Sequence, residues 1–159
     1  MNKRLIFLSF FGPGLSKYAP GTMGTIAALP VGLLIQYYLG ATTLFLSAIL
    51  LTVISIKEIN KYEAEGGIHD DGRIVVDEVA GTFIALSMTA TIPNVWLQAG
   101  LVFVFFRFLD IKKPSFIGLA ERRLKGGNGV MWDDILAGVF AGILGMLVFK
   151  ALNFAGLSF

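Results

Sequence analysis

The sequence contains no cysteine and only one histidine, His69. Disulfide bonds, thiolate metal sites and cysteine nucleophiles are therefore excluded, as is any mechanism that needs two histidines. Charge is also scarce, because Asp, Glu, Lys and Arg make up only 15% of the 159 residues, against about 25% in soluble domains. The net charge of +2 is too small to predict binding to nucleic acid.

Hydrophobic residues are abundant instead, at 55% of the chain, and the mean hydropathy is +0.75. Such a composition demands burial and excludes disorder. No internal repeat or low-complexity linker divides the sequence. We therefore expect one all-α domain over residues 1–159 that is integral to a membrane.

Two long stretches, 18–56 and 135–149, contain no Asp, Glu, Lys or Arg. A continuous helix over the first would reach roughly 58 Å, about twice the ~30 Å hydrocarbon core of a bilayer. Residues 39–43 (Leu-Gly-Ala-Thr-Thr) interrupt this stretch. We therefore expect two antiparallel helices joined at that point.

A third uncharged stretch, 79–106, is interrupted by Ile-Pro-Asn at 92–94. It is too long for one upright span and too short for two. A single pass would divide the charged segments between two compartments. A hairpin with helices over roughly 73–91 and 95–112 keeps them together, so we expect a multi-helical protein of about five apolar segments built on two hairpins.

The two hairpins bring the charged segments 1–17, 57–78 and 107–134 to one face of the membrane. Every Lys and Arg except Lys150 then lies on that face, and the positive-inside rule assigns it to the cytoplasm. Residues equally far from a turn lie at similar depths, which predicts one site at the cytoplasmic membrane boundary. It would contain Thr22, Glu58, Asp77, Glu78, Arg107 to Asp110, Asp133 and Asp134.

The acidic segment 57–78 ends at Asp77 and Glu78, where apolar residues resume. Asp70 precedes Asp77 by seven residues, so a helix through both would place them on one face. Carboxylates at the edge of a hydrocarbon phase are costly unless they are paired or bind a metal, and Mg²⁺ prefers such oxygen ligands. Interfacial ion pairs with nearby basic residues are the alternative. The candidate metal ligands are Asp70, Asp77, Glu78, Asp133 and Asp134.

Arg107, Asp110 and Lys113 follow one another at i, i+3 spacing, so they are neighbours on a helical surface. Pro114 predicts the end of that helix. Arg offers a planar fork of donors and Lys a point charge, and both suit phosphate. The alternative is that the cations only extend to the membrane interface.

Two glycine-rich segments precede apolar runs. Residues 20–25 offer free N–H groups, a positive dipole end and two threonine hydroxyls, which suit an anion; a simple helix cap is the alternative. Residues 126–134 lead to Asp133 and Asp134 at an expected helix start, where the helix dipole explains only one acid. The small residues that follow are expected to serve helix packing, and His69 is expected in a solvated loop.

These motifs resemble the phosphatidylglycerophosphatase A family of integral membrane phosphatases. The resemblance extends from Gly12 to about Gly142. Each block alone is weakly specific, but four in order are strongly so. The blocks are Ala19-Pro20-Gly21-Thr22-Met23-Gly24-Thr25; Ile74-Val75-Val76-Asp77-Glu78 with Gly81; Phe106-Arg107 through Asp110 with Lys113-Pro114; and Gly127-x-Gly129-Val130-Met131-x-Asp133-Asp134 with Ala137-Gly138.

The resemblance implies a Mg²⁺-dependent enzyme of the bacterial cytoplasmic (inner) membrane. Its substrate would be an anionic phospholipid, phosphatidylglycerophosphate, whose terminal phosphomonoester is hydrolysed to give phosphatidylglycerol and phosphate. Asp71 falls on a position that varies in the family and is discounted. The family's acidic positions match Asp70, Asp77, Glu78, Asp110, Asp133 and Asp134, and its polar and basic positions match Thr22, Thr25, Arg107 and Lys113. From the chemistry of these residues we expect Asp77, Glu78, Asp110, Asp133 and Asp134 to be catalytic; Thr22, Thr25, Arg107 and Lys113 to bind substrate; and Asp70, Asp77, Glu78, Asp133 and Asp134 to be metal ligands.

The residue inventory agrees with that activity. The absence of cysteine excludes a cysteine phosphatase, and a single histidine excludes a phosphohistidine mechanism. The acid pairs are adjacent and form no D-x-D motif, which gives no support to an aspartyl-phosphate enzyme. Metal-assisted attack of water is the mechanism that remains. A small divalent-cation carrier or channel using the same acids is the alternative, and it would place charges at the bilayer midplane. A non-catalytic lipid-binding scaffold would tolerate loss of the carboxylates.

Overall fold

The computed structural model describes residues 3–114 and 124–156, and the regular elements in these two ranges are all helical. This confirms the prediction of an all-α protein. A 3₁₀ turn, Pro13–Leu15, follows the first helix. The α-helices are α1 (Lys3–Leu8), α2 (Pro20–Ala64), α3 (Val76–Met88), α4 (Val95–Lys112) and α5 (Gly127–Phe154).

Helix α2 consists of two helices that meet at Gly40. The backbone there has φ 85° and ψ 163°, a conformation that glycine adopts at little cost. Gly21, near the start of α2, lies against Glu78 of α3, and Ile56, near its end, lies against Gly127 at the start of α5. Both ends of α2 therefore lie at the same end of the bundle, which shows that the chain reverses at Gly40. The predicted first hairpin is therefore confirmed.

Helices α3 and α4 form the second hairpin. Near its turn, Gln98 Nε2 donates to the carbonyl oxygen of Leu86 at 3.0 Å. Asn94 caps α4, because its Oδ1 accepts hydrogen bonds from the N–H groups of Trp96 and Leu97. At the far end, α4 stops at Lys112, as Pro114 predicted.

No helix runs through both Asp70 and Asp77, because α3 begins only at Val76, a few residues after the expected start near residue 73. The preceding N–H groups are bonded elsewhere: that of Ile74 donates to Asp71 O at 2.8 Å, and that of Val75 donates to Leu8 O at 2.9 Å. Asp70 lies in a turn with a φ of 52°. The two carboxylates therefore come from separate backbone segments.

The expected start of the last helix is also wrong. Helix α5 begins at Gly127, so Asp133 and Asp134 lie inside it and do not cap it. The side chain of Asn60 on α2 caps it instead, because its Oδ1 accepts from the Gly127 N–H at 2.8 Å. This long-range contact has no signal in the local sequence.

Small residues let α3 and α5 pack closely at the centre of the bundle. A Cβ atom on Gly138 would lie 2.8 Å from the Cα atom of Gly81, so neither position has room for a side chain. Ala137 and Ala141 are also fully buried. The predicted packing role of the small residues after Asp134 is confirmed.

Two helices, α2 and α5, are long and apolar enough to cross a membrane by length and composition. Their outward surfaces carry exposed aliphatic side chains such as Leu34, Leu50 and Leu147. Lipid contact explains such surfaces, which would be costly in water. These features suggest association with a membrane.

Candidate active site

A cavity of about 380 Å³ opens where several helix ends meet. Its walls come from the start of α2, the loop before α3, the start of α3, the end of α4 and the second turn of α5. Both acidic and basic side chains face it. The charged residues that line it are Asp70, Asp71, Asp77, Glu78, Arg107, Asp110, Lys113, Asp133 and Asp134.

Three carboxylates converge on this cavity from two helices. Asp77, Glu78 and Asp134 each offer an oxygen, and these oxygens lie within 4.8 Å of one another. Asp77 and Asp134 are buried, and the Glu78 side chain is only 13% exposed. Gly81 permits the arrangement, because a Cβ atom there would overlap the carbonyl oxygen of Asp134.

The three carboxylates have the chemistry of a divalent-cation site. Like charges this close repel one another, and burial removes the water that would screen them. Among the described residues, Glu78 Oε2 has no hydrogen-bond partner although it is buried, a costly state for a carboxylate oxygen. Mg²⁺ binds carboxylate oxygens together with water and substrate phosphate. The donor set therefore fits the expected cofactor.

Arg107 connects two of the acidic helices. Its Nη1 lies 3.8 Å from Glu78 Oε1, and it forms an ion pair with Asp110 one turn further along α4. The side chain is only 14% exposed, so the guanidinium is held firmly. Within the described part of the chain, its buried Nε has no acceptor, which leaves the group able to bind a further anion.

Lys113 brings a second cation to the cavity. It follows α4 directly with a φ of 39°, and its Nζ donates to Asp133 Oδ2 at 2.7 Å. Asp133 is nearly buried, whereas the Lys113 side chain is 35% exposed. The two adjacent acids of α5 therefore face different partners: Asp134 joins the carboxylate cluster and Asp133 holds Lys113.

The start of α2 reaches the cavity through its backbone rather than its threonines. Pro20 and Gly21 line the cavity, but Thr22 and Thr25 do not. The Thr25 hydroxyl is buried and donates to Gly21 O at 3.0 Å. The structure therefore brings the predicted glycine turn to the site without the two side chains expected to act there.

The loop that carries Asp70 is anchored by its neighbour Asp71. Tyr62 Oη donates to Asp71 Oδ2 at 2.6 Å, and Arg73 Nε donates to Asp71 Oδ1 at 2.9 Å. The Arg73 guanidinium holds the pKa of Asp71 well below its usual range, and Asp71 in turn raises the pKa of Arg73. Asp71 was discounted in the sequence because its position varies in the family. Its contact with Tyr62 of α2 depends on the fold, so nothing in the sequence signals it.

Most of the expected site residues come together in the structure. The cavity includes all the acids predicted as catalytic residues or metal ligands and both predicted cations. Thr22, Thr25 and Glu58 lie outside it, and Glu58 instead pairs with Arg4 and Lys61. Asp70 lines the cavity but is not one of the three clustered carboxylates. His69 is exposed, with Nδ1 2.6 Å from Glu63 Oε1, consistent with a loop position.

Fold and site together define a class of protein, namely a helical bundle with lipid-compatible surfaces and a polar cavity in which clustered carboxylates face an arginine and a lysine. Carboxylates that can hold a cation beside fixed cations are typical of enzymes that act on phosphate groups. The comparisons identify the class more closely. The model of the family described as Phosphatidylglycerophosphatase A matches residues 6–149, and the chain belongs to that family. It is thus a phosphatase, a phosphoric monoester hydrolase.

Curated relatives agree with this assignment. The chain is 41% identical over 136 residues to phosphatidylglycerophosphatase A of Escherichia coli, covering 84% of this chain and 77% of the relative. It is 37% identical over 134 residues to the protein of the same name from Haemophilus influenzae, covering 84% and 81%. A Bacteroides thetaiotaomicron protein provisionally named phosphatidylinositol-3-phosphatase is 37% identical over 138 residues, covering 84% and 86%. No solved structure gives a significant match.

Proposed function

We propose that this protein hydrolyses the terminal phosphomonoester of phosphatidylglycerophosphate to phosphatidylglycerol and inorganic phosphate, with Mg²⁺ as cofactor. The observation that carries the proposal is the cluster of Asp77, Glu78 and Asp134 in one cavity with Arg107 and Lys113. Two relatives of high coverage are named for this activity. They give no support to a cation carrier or channel, and the acids gather at one end of the bundle.

Asp77, Glu78 and Asp134 would hold the cofactor. When bound, Mg²⁺ supplies a Lewis acid for phosphoryl oxygens and lowers the pKa of a coordinated water. The remaining steps belong to the chain. One of the three carboxylates accepts a proton from the attacking water as the new bond forms between the water oxygen and phosphorus. The bond from phosphorus to the glycerol oxygen breaks, and the same carboxyl group returns the proton to that oxygen, which leaves as the hydroxyl of phosphatidylglycerol.

The two cations bind the phosphoryl oxygens and offset their charge as that bond breaks. Arg107 is positioned for this by Asp110, and Lys113 by Asp133. We therefore assign Asp110 and Asp133 as residues that orient the cations. The N–H groups at the start of α2, beside Gly21, add a partial positive charge to the same cavity.

We further propose a multi-pass orientation in the bacterial cytoplasmic membrane with the cavity at the cytoplasmic face. The basic residues near the cavity support this through the positive-inside rule.

The chain has no cysteine, so single introduced cysteines can report the orientation. Ile68→Cys lies in the loop beside the cavity and Trp96→Cys at the opposite turn, and both positions are exposed. In intact spheroplasts an impermeant maleimide should label only Trp96→Cys; labelling of Ile68→Cys would contradict the orientation.

Purified protein should release phosphate from phosphatidylglycerophosphate in the presence of Mg²⁺ and not with excess chelator. Phosphatidic acid and phosphatidylinositol 3-phosphate serve as competing substrates, the latter because of the name of the third relative. Faster hydrolysis of either competitor would overturn the substrate assignment. Metal-independent release would overturn the cofactor assignment.

A further inference from the structure

A second cavity, almost entirely apolar, lies on the outer surface of the bundle. It measures about 350 Å³ and runs between the second half of α2 and α5. Its floor is buried, with Ile84 at 4% and Ile135 at 9% exposure, whereas its rims are open, with Val53 at 47% and Trp132 at 43%. We name this open groove between α2 and α5 the lateral groove.

The dimensions of the lateral groove match one hydrocarbon chain. It extends along α5 from Asn128 to Val139, which is roughly 16 Å at the rise of an α-helix and about half the ~30 Å core of a bilayer. This length corresponds to an acyl chain of one leaflet.

Along the axis of the bundle, the lateral groove spans the depth of the carboxylate cluster and continues below it. Ile135 on the groove floor follows Asp134 of the carboxylate cluster, and Ile84 lies two helical turns below Asp77 on the same face of α3. A shallow crevice formed by His69, Asp70, Gly129, Val130 and Asp133 borders the first turns of α5. It shares Asp70, Val130 and Asp133 with the active-site cavity, and its Gly129 is the chain neighbour of Asn128 at the polar end of the groove.

An empty groove of this kind is unfavourable in a bilayer. Water does not enter an apolar cleft within hydrocarbon, and unfilled walls lose dispersion contacts. A lipid chain satisfies these walls without any polar partner. A chain that belongs to the substrate would also restrain the headgroup of the same molecule beside the carboxylates.

We propose that the lateral groove binds one acyl chain of the lipid whose phosphate is hydrolysed, and so aligns the headgroup with the active-site cavity. The inference rests on the proposed function, because it identifies the acyl chain as part of what the site recognises. The occupant is the substrate lipid. A chain of bulk lipid and a second copy of this protein are the other outcomes of the test.

The kinetic test fills the groove with a larger side chain. Val53→Trp obstructs it, and Val31→Trp on the first half of α2 is the matched control, because Val31 is also partly exposed but lines none of the described cavities.

The substrates for this kinetic test are dioleoyl and dihexanoyl phosphatidylglycerophosphate in mixed micelles. Val53→Trp should raise KM for the dioleoyl lipid about fivefold, equivalent to about 1 kcal/mol. Its kcat and its KM for the dihexanoyl lipid should stay unchanged. Equal effects on both lipids, or in both variants, would overturn the proposal.

A binding test separates the groove from the reaction. Phosphatidylglycerophosphate and phosphatidylcholine, each with a diazirine in one acyl chain, are photolysed with the protein in nanodiscs. The anionic probe should label residues 45–56 and 128–139, and excess unlabelled phosphatidylglycerophosphate should suppress the labelling. Equal labelling by phosphatidylcholine would show a bulk lipid chain, and crosslinks between two copies would show a protein interface; either contradicts the inference. Labelling that is suppressed by substrate, in a protein that does not hydrolyse it, would refute the proposed function and support acyl-chain binding in the groove. Hydrolysis without labelling of the groove would support the proposed function and refute acyl-chain binding there.

Discussion

Gly21 lies so close to Glu78 that a Cβ atom on Gly21 would overlap Glu78 Oε1. The same Cβ atom would lie 3.2 Å from Arg107 Nη1. The start of α2 thus packs directly on the ion pair between α3 and α4. A side chain at position 21 would therefore displace the Glu78 carboxylate, whereas the backbone conformation of the helix does not call for glycine there.

Gly21→Ala should therefore lower activity by displacing the Glu78 carboxylate. We expect kcat to fall at least about tenfold, which corresponds to about 1.4 kcal/mol, with little change in helix content by circular dichroism. Gly100→Ala is the control, because a Cβ atom there meets no atom within 4 Å and alanine favours a helix interior. Equal activity of the two variants would contradict the role assigned to Gly21.

Asp134→Asn should separate stability from catalysis. Removing one of three clustered negative charges relieves repulsion, so the melting temperature without Mg²⁺ should be unchanged or raised. Wild-type protein should gain thermal stability on addition of Mg²⁺, because a cation that binds the native state stabilises it. The variant should lose this gain and about 100-fold or more in kcat. Glu65→Gln, an exposed acid distant from the cluster, should keep both, and a retained Mg²⁺ shift in Asp134→Asn would exclude Asp134 as a ligand.

Lys113 and Lys112 form a natural matched pair, because only Lys113 lines the cavity. Lys113→Met removes a cation and the bond to Asp133, so kcat/KM should fall about tenfold, the equivalent of about 1.4 kcal/mol for a charge-assisted hydrogen bond. Lys113→Arg should recover part of the loss. Lys112→Met should leave kcat/KM near that of wild type; an equal loss in both methionine variants would point to membrane attachment instead of phosphate binding.

Asp71→Asn should destabilise the protein in a pH-dependent manner. Because Arg73 lowers the pKa of native Asp71, the ionised carboxylate stabilises the fold above the ordinary Asp pKa of about 3.9 and loses that effect as the pH falls toward the native pKa. The variant should be less stable by about 2 kcal/mol between pH 5 and 8, and the difference should shrink below about pH 4. Chemical denaturation across this range measures it. A difference that stays constant down to pH 3 would exclude the Asp71 charge as its source.

The hairpins and the face that carries the charges could be predicted from the sequence alone. The uncharged stretches are longer than one membrane span, because the thickness of the hydrocarbon core limits the length of a spanning helix. The chain was therefore expected to reverse where these stretches are interrupted, near Gly40 and Pro93. Counting from Pro93 also placed Glu78 opposite Arg107, which the 3.8 Å approach confirms. Runs of apolar residues and helix-breaking residues act on the nearby backbone. They can therefore be recognised in a single sequence.

The partners of individual acids could not be predicted. Asp133 and Asp134 are adjacent in sequence, yet one binds Lys113 and the other joins the carboxylate cluster, because successive residues on a helix point about 100° apart. Thr25 was expected at the site, but its hydroxyl is used within its own helix. Neither outcome follows from residue type or spacing.

The sequence by itself determined a helical, membrane-compatible chain with its acids and bases at one end, since hydropathy and chain reversal depend on local composition. Only the tertiary structure decided which three carboxylates share a cation-sized space, how Asp71 supports the Asp70 loop, and where an apolar groove opens. These features depend on the rotation of packed helices about their own axes. That rotation is set by side-chain contacts between segments far apart in the chain, such as Gly81 against Gly138.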